Sequence, residues 1–164
     1  MRGKKTGRIW GMGLLLVLLC GLTACGLDVS DYRSADFRAE VSFSGMNGEI
    51  TALVTVRNGE IETCFCSPEG LRGIRVVDRG QGATVYTEGI TISSPLAEEL
   101  AKYGRLVCPK GERRLLCRIE REGRRMICGE IDGAVEIRLS ESGEPIWISR
   151  EDLCADILRF EALS

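Results

Sequence analysis

Few residues in this chain are equipped for chemistry. The 164-residue sequence contains no histidine, which removes the commonest general base and the commonest metal ligand. Eight cysteines are its most reactive side chains. Cys20 and Cys25 close an apolar N-terminal run, and Cys64, Cys66, Cys108, Cys117, Cys128 and Cys154 are spread over the rest. Cys64-Phe65-Cys66 has the makings of a redox pair or of half a metal site. A zinc site, however, takes two cysteine pairs or cysteines with histidine, and both the second pair and the histidine are missing. A redox cysteine gains its low pKa at a helix N-terminus, whereas this pair falls in a strand-like stretch. Asp78, Glu88, Asp132 and Glu136 belong to separate segments and form no glycosidase-like pair. No catalytic or metal-ligating residue is assigned, no cofactor is expected, and thiol–disulfide chemistry at Cys64 and Cys66 is the lesser alternative to a non-enzyme.

The N-terminal cysteines bear on a different chemistry. Residues 9–22 carry no charge and follow Arg2, Lys4, Lys5 and Arg8. An apolar run of about 14 residues falls short of the roughly 20 needed to span a bilayer. A basic start, a short apolar centre and small residues at the end form the pattern of a secretory signal peptide. Its ending, Leu22-Thr23-Ala24-Cys25, resembles a bacterial lipobox. That resemblance implies cleavage after Ala24, a diacylglyceryl group on the Cys25 thiol, and a protein held on the outer side of a cell membrane, at the cell surface or in a periplasm. Two or more acyl chains anchor stably where one binds only marginally. Cys20 follows Leu18 and Leu19, too bulky for the same peptidase, and leaves with the leader. The alternative is an uncleaved membrane helix.

The leader over 1–24 takes four of the 22 basic residues and none of the 24 acidic ones, so the remaining chain carries 18 against 24, a net −6. An acidic domain argues against nucleic acid as a partner and against electrostatic docking on anionic lipid. The remaining 140 residues suit one domain with a real core.

The elements that follow are mostly strands. Residues 25–36 are polar and aperiodic and are expected to be a tether, with the folded domain over 37–164. In Phe37-Arg38-Ala39-Glu40-Val41-Ser42-Phe43 apolar and polar residues alternate, and Ile50, Ala52, Val54 and Val56 line one face of the next segment. Asn58-Gly59 suits a type I′ hairpin turn; Asn47-Gly48, Gly80-Gln81-Gly82, Glu122-Gly123, Asp132-Gly133 and Ser142-Gly143 punctuate further hairpins. The fold expected is mainly β: an antiparallel meander of about ten strands, near 37–44, 49–57, 60–66, 71–79, 83–92, 113–120, 124–131, 134–140, 145–149 and 154–162. One short helix interrupts it, forming a half-barrel or open barrel with the helix on its concave side. Ser93-Ser94-Pro95 starts that helix and Gly104 stops it. Leu96, Leu100 and Tyr103 fall on one stripe, Leu96 and Leu100 are expected against the sheet, and Glu98 can pair with Lys102.

Ser67-Pro68-Glu69-Gly70-Leu71-Arg72-Gly73 ahead of a strand, and the run Gly133-Ala134-Val135-Glu136-Ile137-Arg138-Leu139-Ser140-Glu141-Ser142-Gly143-Glu144-Pro145-Ile146-Trp147-Ile148 before a closing strand, make residues 37–163 similar to the LolA/LolB-like lipoprotein-carrier superfamily. The resemblance implies a secreted or lipid-anchored half-barrel that binds acyl chains on its concave side. On that reading Leu96, Leu100, Tyr103 and Trp147 are the candidates to line a cavity, and the partner is a lipid or an envelope protein. The alternatives are a structural or sensory envelope lipoprotein whose helix fills the cavity, and the thiol-redox protein above.

Six cysteines outside the cytoplasm allow fifteen pairings. Cys117 and Cys128 flank the Glu122-Gly123 turn, and its register leaves a cross-strand bridge open to them; the others are expected to be buried thiols for the most part. The basic run Arg113, Arg114, Arg118, Arg121, Arg124 and Arg125 reads as a charged, solvated strand edge that discourages aggregation.

Overall fold

The computed structural model describes residues 29–45 and 48–163. The signal peptide and the lipidated Cys25 lie outside the described residues. Eleven strands form one antiparallel sheet: β1 Phe37–Gly45, β2 Gly48–Arg57, β3 Glu60–Ser67, β4 Arg75–Asp78, β5 Ala83–Thr87, β6 Ile90–Ile92, β7 Arg113–Arg121, β8 Arg124–Ile131, β9 Val135–Leu139, β10 Pro145–Arg150 and β11 Leu153–Ala162. Their spatial order is β6-β5-β4-β3-β2-β1-β11-β10-β9-β8-β7. The first and last strands of the domain meet in the middle of the sheet, and β6 and β7 are its free edges. A single α-helix among the described residues, α1 (Pro95–Val107), carries the chain from one edge strand to the other. The sheet is therefore an open half-barrel with α1 on the concave side.

Period-two patterning governs which face each strand buries. Phe37, Ala39, Val41 and Phe43 of β1 and Ile50, Ala52, Val54 and Val56 of β2 all point into one core, at 0–7% exposure, while the residues between them face outward. Burying each such aliphatic or aromatic side chain contributes about 1.5–3 kcal/mol. Asn58 and Gly59 both adopt positive φ (50° and 78°), as the tight hairpin requires.

The structure departs from the sequence reading in several places. The expected 83–92 strand is two strands, because Glu88 and Gly89 both take positive φ (41° and 84°) and make another tight hairpin. The expected 71–79 strand begins only at Arg75; a 3-10 turn over Glu69–Leu71 and a bend at Gly73 precede it. The tether does not extend to 36. Residues 29–36 are folded onto the domain, with Val29 and Tyr32 buried.

Helix α1 runs nearly one turn past Gly104. A Cβ at Gly104 would stand 2.8 Å from Ile61 Cγ2 and closer still to Thr63 Oγ1. Glycine is thus where the helix backbone rests on β3, and the close approach, rather than a C-cap, explains it. The buried stripe is Ala97, Leu100, Ala101, Gly104 and Val107, flanked by Tyr103 and Leu106. Tyr103 meets Phe43 and Phe65 edge-on, with ring centroids 5.1 and 5.7 Å apart. Leu96 is rotated out of this stripe and is 60% exposed, so it does not pack on the sheet. Ser94 is at the N-cap position but makes no side-chain capping bond. Lys102 pairs with Glu99, and Glu98 with Arg105, in place of the expected Glu98–Lys102 pair.

Candidate functional site

A cavity of about 810 Å³ runs beside α1. Its floor is apolar: Phe43 from β1, Ile61 from β3, Tyr103 and Leu106 from α1, Val135 from β9 and Leu153 from β11. Strand alternation puts the strand residues there, since each is on the core-facing side. Charged residues form the rim, among them Asp78, Glu98, Lys102, Arg105, Lys110 and Arg150.

The rim has a fixed arrangement. Arg105 Nε donates to Asp78 Oδ2 at 2.5 Å, and Arg105 Nη2 donates to Glu98 Oε2 at 2.8 Å. Glu98 Oε1 accepts from the Ala83 amide at 2.7 Å, and Asp78 Oδ1 from the Gly80 amide at 2.8 Å. Burial works to raise the Asp78 pKa, but the hydrogen bonds from Arg105 and Gly80 and the Arg105 charge outweigh it and hold the carboxyl below its ordinary value. These bonds tie α1 to the ends of β4 and β5, so this wall of the cavity is preorganised. Lys102, bonded to Glu99 at 2.7 Å, and Lys110 are exposed cations at the mouth, on a rim that also carries Glu151 and Asp152.

The N-terminal segment buttresses the end of the helix. Tyr32 Oη donates to the Val107 carbonyl at 3.0 Å and packs edge-on against Phe37 and Phe160. Arg33 Nη1 donates to the carbonyls of Pro109 and Gly111 at 2.8 and 3.1 Å, while its Nε and Nη2 hold Asp31. Arg113 Nη1 donates to the Ser30 carbonyl at 2.9 Å, and Nη2 to that of Val29. The Arg33 hydrogen bonds, against the opposing effect of burial, hold the Asp31 carboxyl below its usual range. Pro109 is itself a lining residue, so this clamp supports the cavity wall. Sequence reasoning grouped Arg113 with the solvated arginines of its hairpin. Its partners are 83 and 84 residues away along the chain, and no local pattern signals them.

Of the residues singled out from the sequence, Tyr103 lines the cavity. Leu100 is buried beneath the helix, behind the lining. Leu96 is out in solvent. Trp147 alternates with the fully buried Ile148 and therefore lies on the opposite, convex face, where the Arg138 guanidinium stacks over its ring at 4.2 Å. Neither Leu96 nor Trp147 is part of the cavity: one residue of strand register exchanges the inner face for the outer at Trp147, and about 100° of helix rotation per residue carries Leu96 off the buried stripe. Phe43, Ile61, Leu106, Val135 and Leu153 were not anticipated; their apolar alternation marked them as core, and only the curvature of the sheet distinguishes a floor from a filled interior.

The cysteines separate by face. Cys64 is on the outer face of β3 beside Glu62, and burial, followed by the Glu62 hydrogen bond and charge, pushes its thiol up to about 11. A thiol so reluctant to ionise is a poor nucleophile at neutral pH. Burial also raises the Cys108 pKa at the end of α1. Cys117 and Cys128 are Cα partners across the β7–β8 hairpin, and both carry free thiols. Among the described residues no group of three or more cysteine, aspartate or glutamate side chains is placed to hold a metal ion. No helix among the described residues is long and apolar enough to cross a membrane.

No protein-family model and no curated protein matches this sequence. Solved structures do. The chain is similar to an uncharacterized conserved protein from Thermus thermophilus, with a TM-score of 0.56 and 15% identity over 81% of this chain and 82% of that one. It is also similar to MucB (TM-score 0.47, 16% identity, 80% of this chain), of whose length the match spans 55%. A third likeness is to a LolA superfamily protein from Nitrosomonas europaea (TM-score 0.45, 13% identity, 79% of this chain and 87% of that one). What the chain shares with the Thermus protein, at such low identity, is its fold: a mainly-β, open antiparallel sheet with a helix across it.

Proposed function

We propose that this protein is a lipid-anchored, extracytoplasmic binding protein that holds an amphiphile with an apolar tail and an anionic head in the cavity beside α1. The cavity is the observation that carries this reading. Its volume of about 810 Å³ is within the range of small-molecule sites and roomy enough for an acyl chain. An apolar floor under Phe43, Leu106 and Val135 would take the chain, and Lys102 and Lys110 at the mouth would meet the head. The lipobox-like Leu22-Thr23-Ala24-Cys25 supports the anchor and the location. The absence of histidine and the high Cys64 pKa favour binding over catalysis.

Native mass spectrometry of the purified protein titrated with palmitate tests this. One palmitate per chain is expected, with binding weakened at least tenfold in Leu153→Trp, which fills the cavity from its floor, and several-fold in Lys102→Glu, which repels the head. An absence of binding by the wild type, or equal binding by both variants, overturns the proposal. Metabolic labelling with radioactive palmitate tests the anchor separately: label should enter the wild type and not Cys25→Ala.

A further inference from the structure

We propose that Cys117 and Cys128 form a cross-strand disulfide that staples the free edge of the sheet. The register places the two residues directly opposite each other on β7 and β8. Antiparallel partners are about 4.5–5.5 Å apart at Cα, inside the roughly 4.4–6.8 Å window of disulfides. That register runs unbroken from the hairpin turn to Cys117, and a bulge between Leu115 and Cys117 shifts it by one residue beyond that point. The Glu122-Gly123 turn closes one end with two positive φ values (53° and 73°). At the other, the Glu112 amide donates to Asp132 Oδ1 at 2.7 Å and the Asp132 amide to the Glu112 carbonyl at 3.1 Å.

No other cysteine faces a cysteine across a strand pair. Cys64 is opposite Leu53 and Arg75, and Cys154 is opposite Ser44 and Ser149. Cys154 on β11 is three strands from β8, about 14 Å at ordinary strand spacing, and β3 is farther still. Cys64 and Cys66 lie two apart on one strand, where their side chains run parallel. Cys108 is at the end of α1. The fifteen pairings open to the six cysteines reduce to one facing pair.

Accessibility orders the chemistry. Cys117 is exposed and Cys128 half-buried, and burial raises the Cys128 pKa. The Cys117 thiolate attacks a disulfide-bonded oxidant, forming a mixed disulfide and releasing one thiol. Cys128 then loses its proton, displaces the second thiol and closes the Cys117–Cys128 bond. Two thiols are oxidised and one external disulfide is reduced to two thiols. Strand β7 is hydrogen-bonded on one side only, to β8, and begins with Arg113, which grips the Val29 and Ser30 carbonyls. The staple therefore secures the strand that holds the N-terminal segment in place.

The full chain, purified under reducing conditions, is incubated with oxidised glutathione, alkylated and digested with trypsin without reduction. Leu115–Arg118 and Met126–Arg138 should appear as one linked species, lighter by two hydrogen atoms than the sum of its parts and abolished by reductant. Cys117→Ser and Cys128→Ser should each eliminate it, and Cys64→Ser should not. In the wild type, oxidation should slow limited proteolysis within β7 several-fold, and in Cys117→Ser it should change nothing. Both cysteines recovered fully alkylated after oxidation, or either one linked to Cys64, Cys66, Cys108 or Cys154, overturns the proposal. The experiment makes no use of ligand or anchor and stands apart from the binding function.

Discussion

Replacing Gly104 by alanine sets two physical effects against each other. Helix propensity favours alanine over glycine in a helix interior by about 1 kcal/mol, so a reading based on propensity alone expects stabilisation. Packing opposes it. The added Cβ would fall 2.8 Å from Ile61 Cγ2 and nearer to Thr63 Oγ1. Both are branched side chains held on β3; Thr63 is 1% exposed and has nowhere to turn. Relief requires α1 to lift off the sheet, which loosens the Tyr103 contacts with Phe43 and Phe65 and opens space around Val107. Overpacking of this kind costs about 1–3 kcal/mol, and two rigid neighbours place it at the upper end. The expected net effect is a loss of about 2 kcal/mol. In urea, at an m-value of about 2 kcal/mol/M, that lowers the midpoint by about 1 M. Circular dichroism of wild type and Gly104→Ala measures it. Thr63→Ala removes the nearest atom, so the double variant should recover about 1 kcal/mol relative to additivity. A midpoint that rises in Gly104→Ala, or a double variant that is simply additive, refutes the claim that glycine is required by close packing here.

Arg113→Ala should release residues 29–34, seen as faster proteolysis at Arg33 than in Arg118→Ala, a change at an exposed position of the same strand. Tyr32→Phe removes the hydroxyl that bonds the Val107 carbonyl and should cost about 1 kcal/mol in urea denaturation. Leu100→Ala should cost about 2–4 kcal/mol by emptying the space under α1, while Leu96→Ala changes stability by less than about 0.5 kcal/mol; similar losses at both positions would contradict the helix orientation described. The folded Asp78 pKa is depressed, so its contribution is fully present above the ordinary carboxylate pKa and is lost as pH falls through the lower folded value. Asp78→Asn should therefore be less stable than wild type at about pH 7, with the gap closing as the pH approaches about 2, measured by thermal unfolding across that range.

The sheet was largely legible because its information is local. Alternation in β1 and β2, and hairpin turns such as Asn58-Gly59, state which residues bend and which face inward without reference to distant chain. The same logic recovers the extra hairpin at Glu88-Gly89 once any residue followed by glycine is allowed to turn. Helix α1 was legible as a helix but not in its orientation. Its end at Val107 and its rotation, burying Gly104 and exposing Leu96, are settled by the surface of β3.

Of the cavity lining only Tyr103 was legible. Val135, Leu153 and Ile61 come from strands far apart in sequence, and nothing in their own neighbourhoods separates a cavity floor from a packed core. The same holds for Arg113 and Arg105, whose partners are contributed by the N-terminal segment and by β4. Residues within a few positions of one another were enough to establish, among the described residues, the strand count to within one, most of the turns and the helix. Which face the helix buries, which charges face each other and where room is left for a ligand emerge only when the chain is folded, because they depend on curvature and on contacts between residues tens of positions apart.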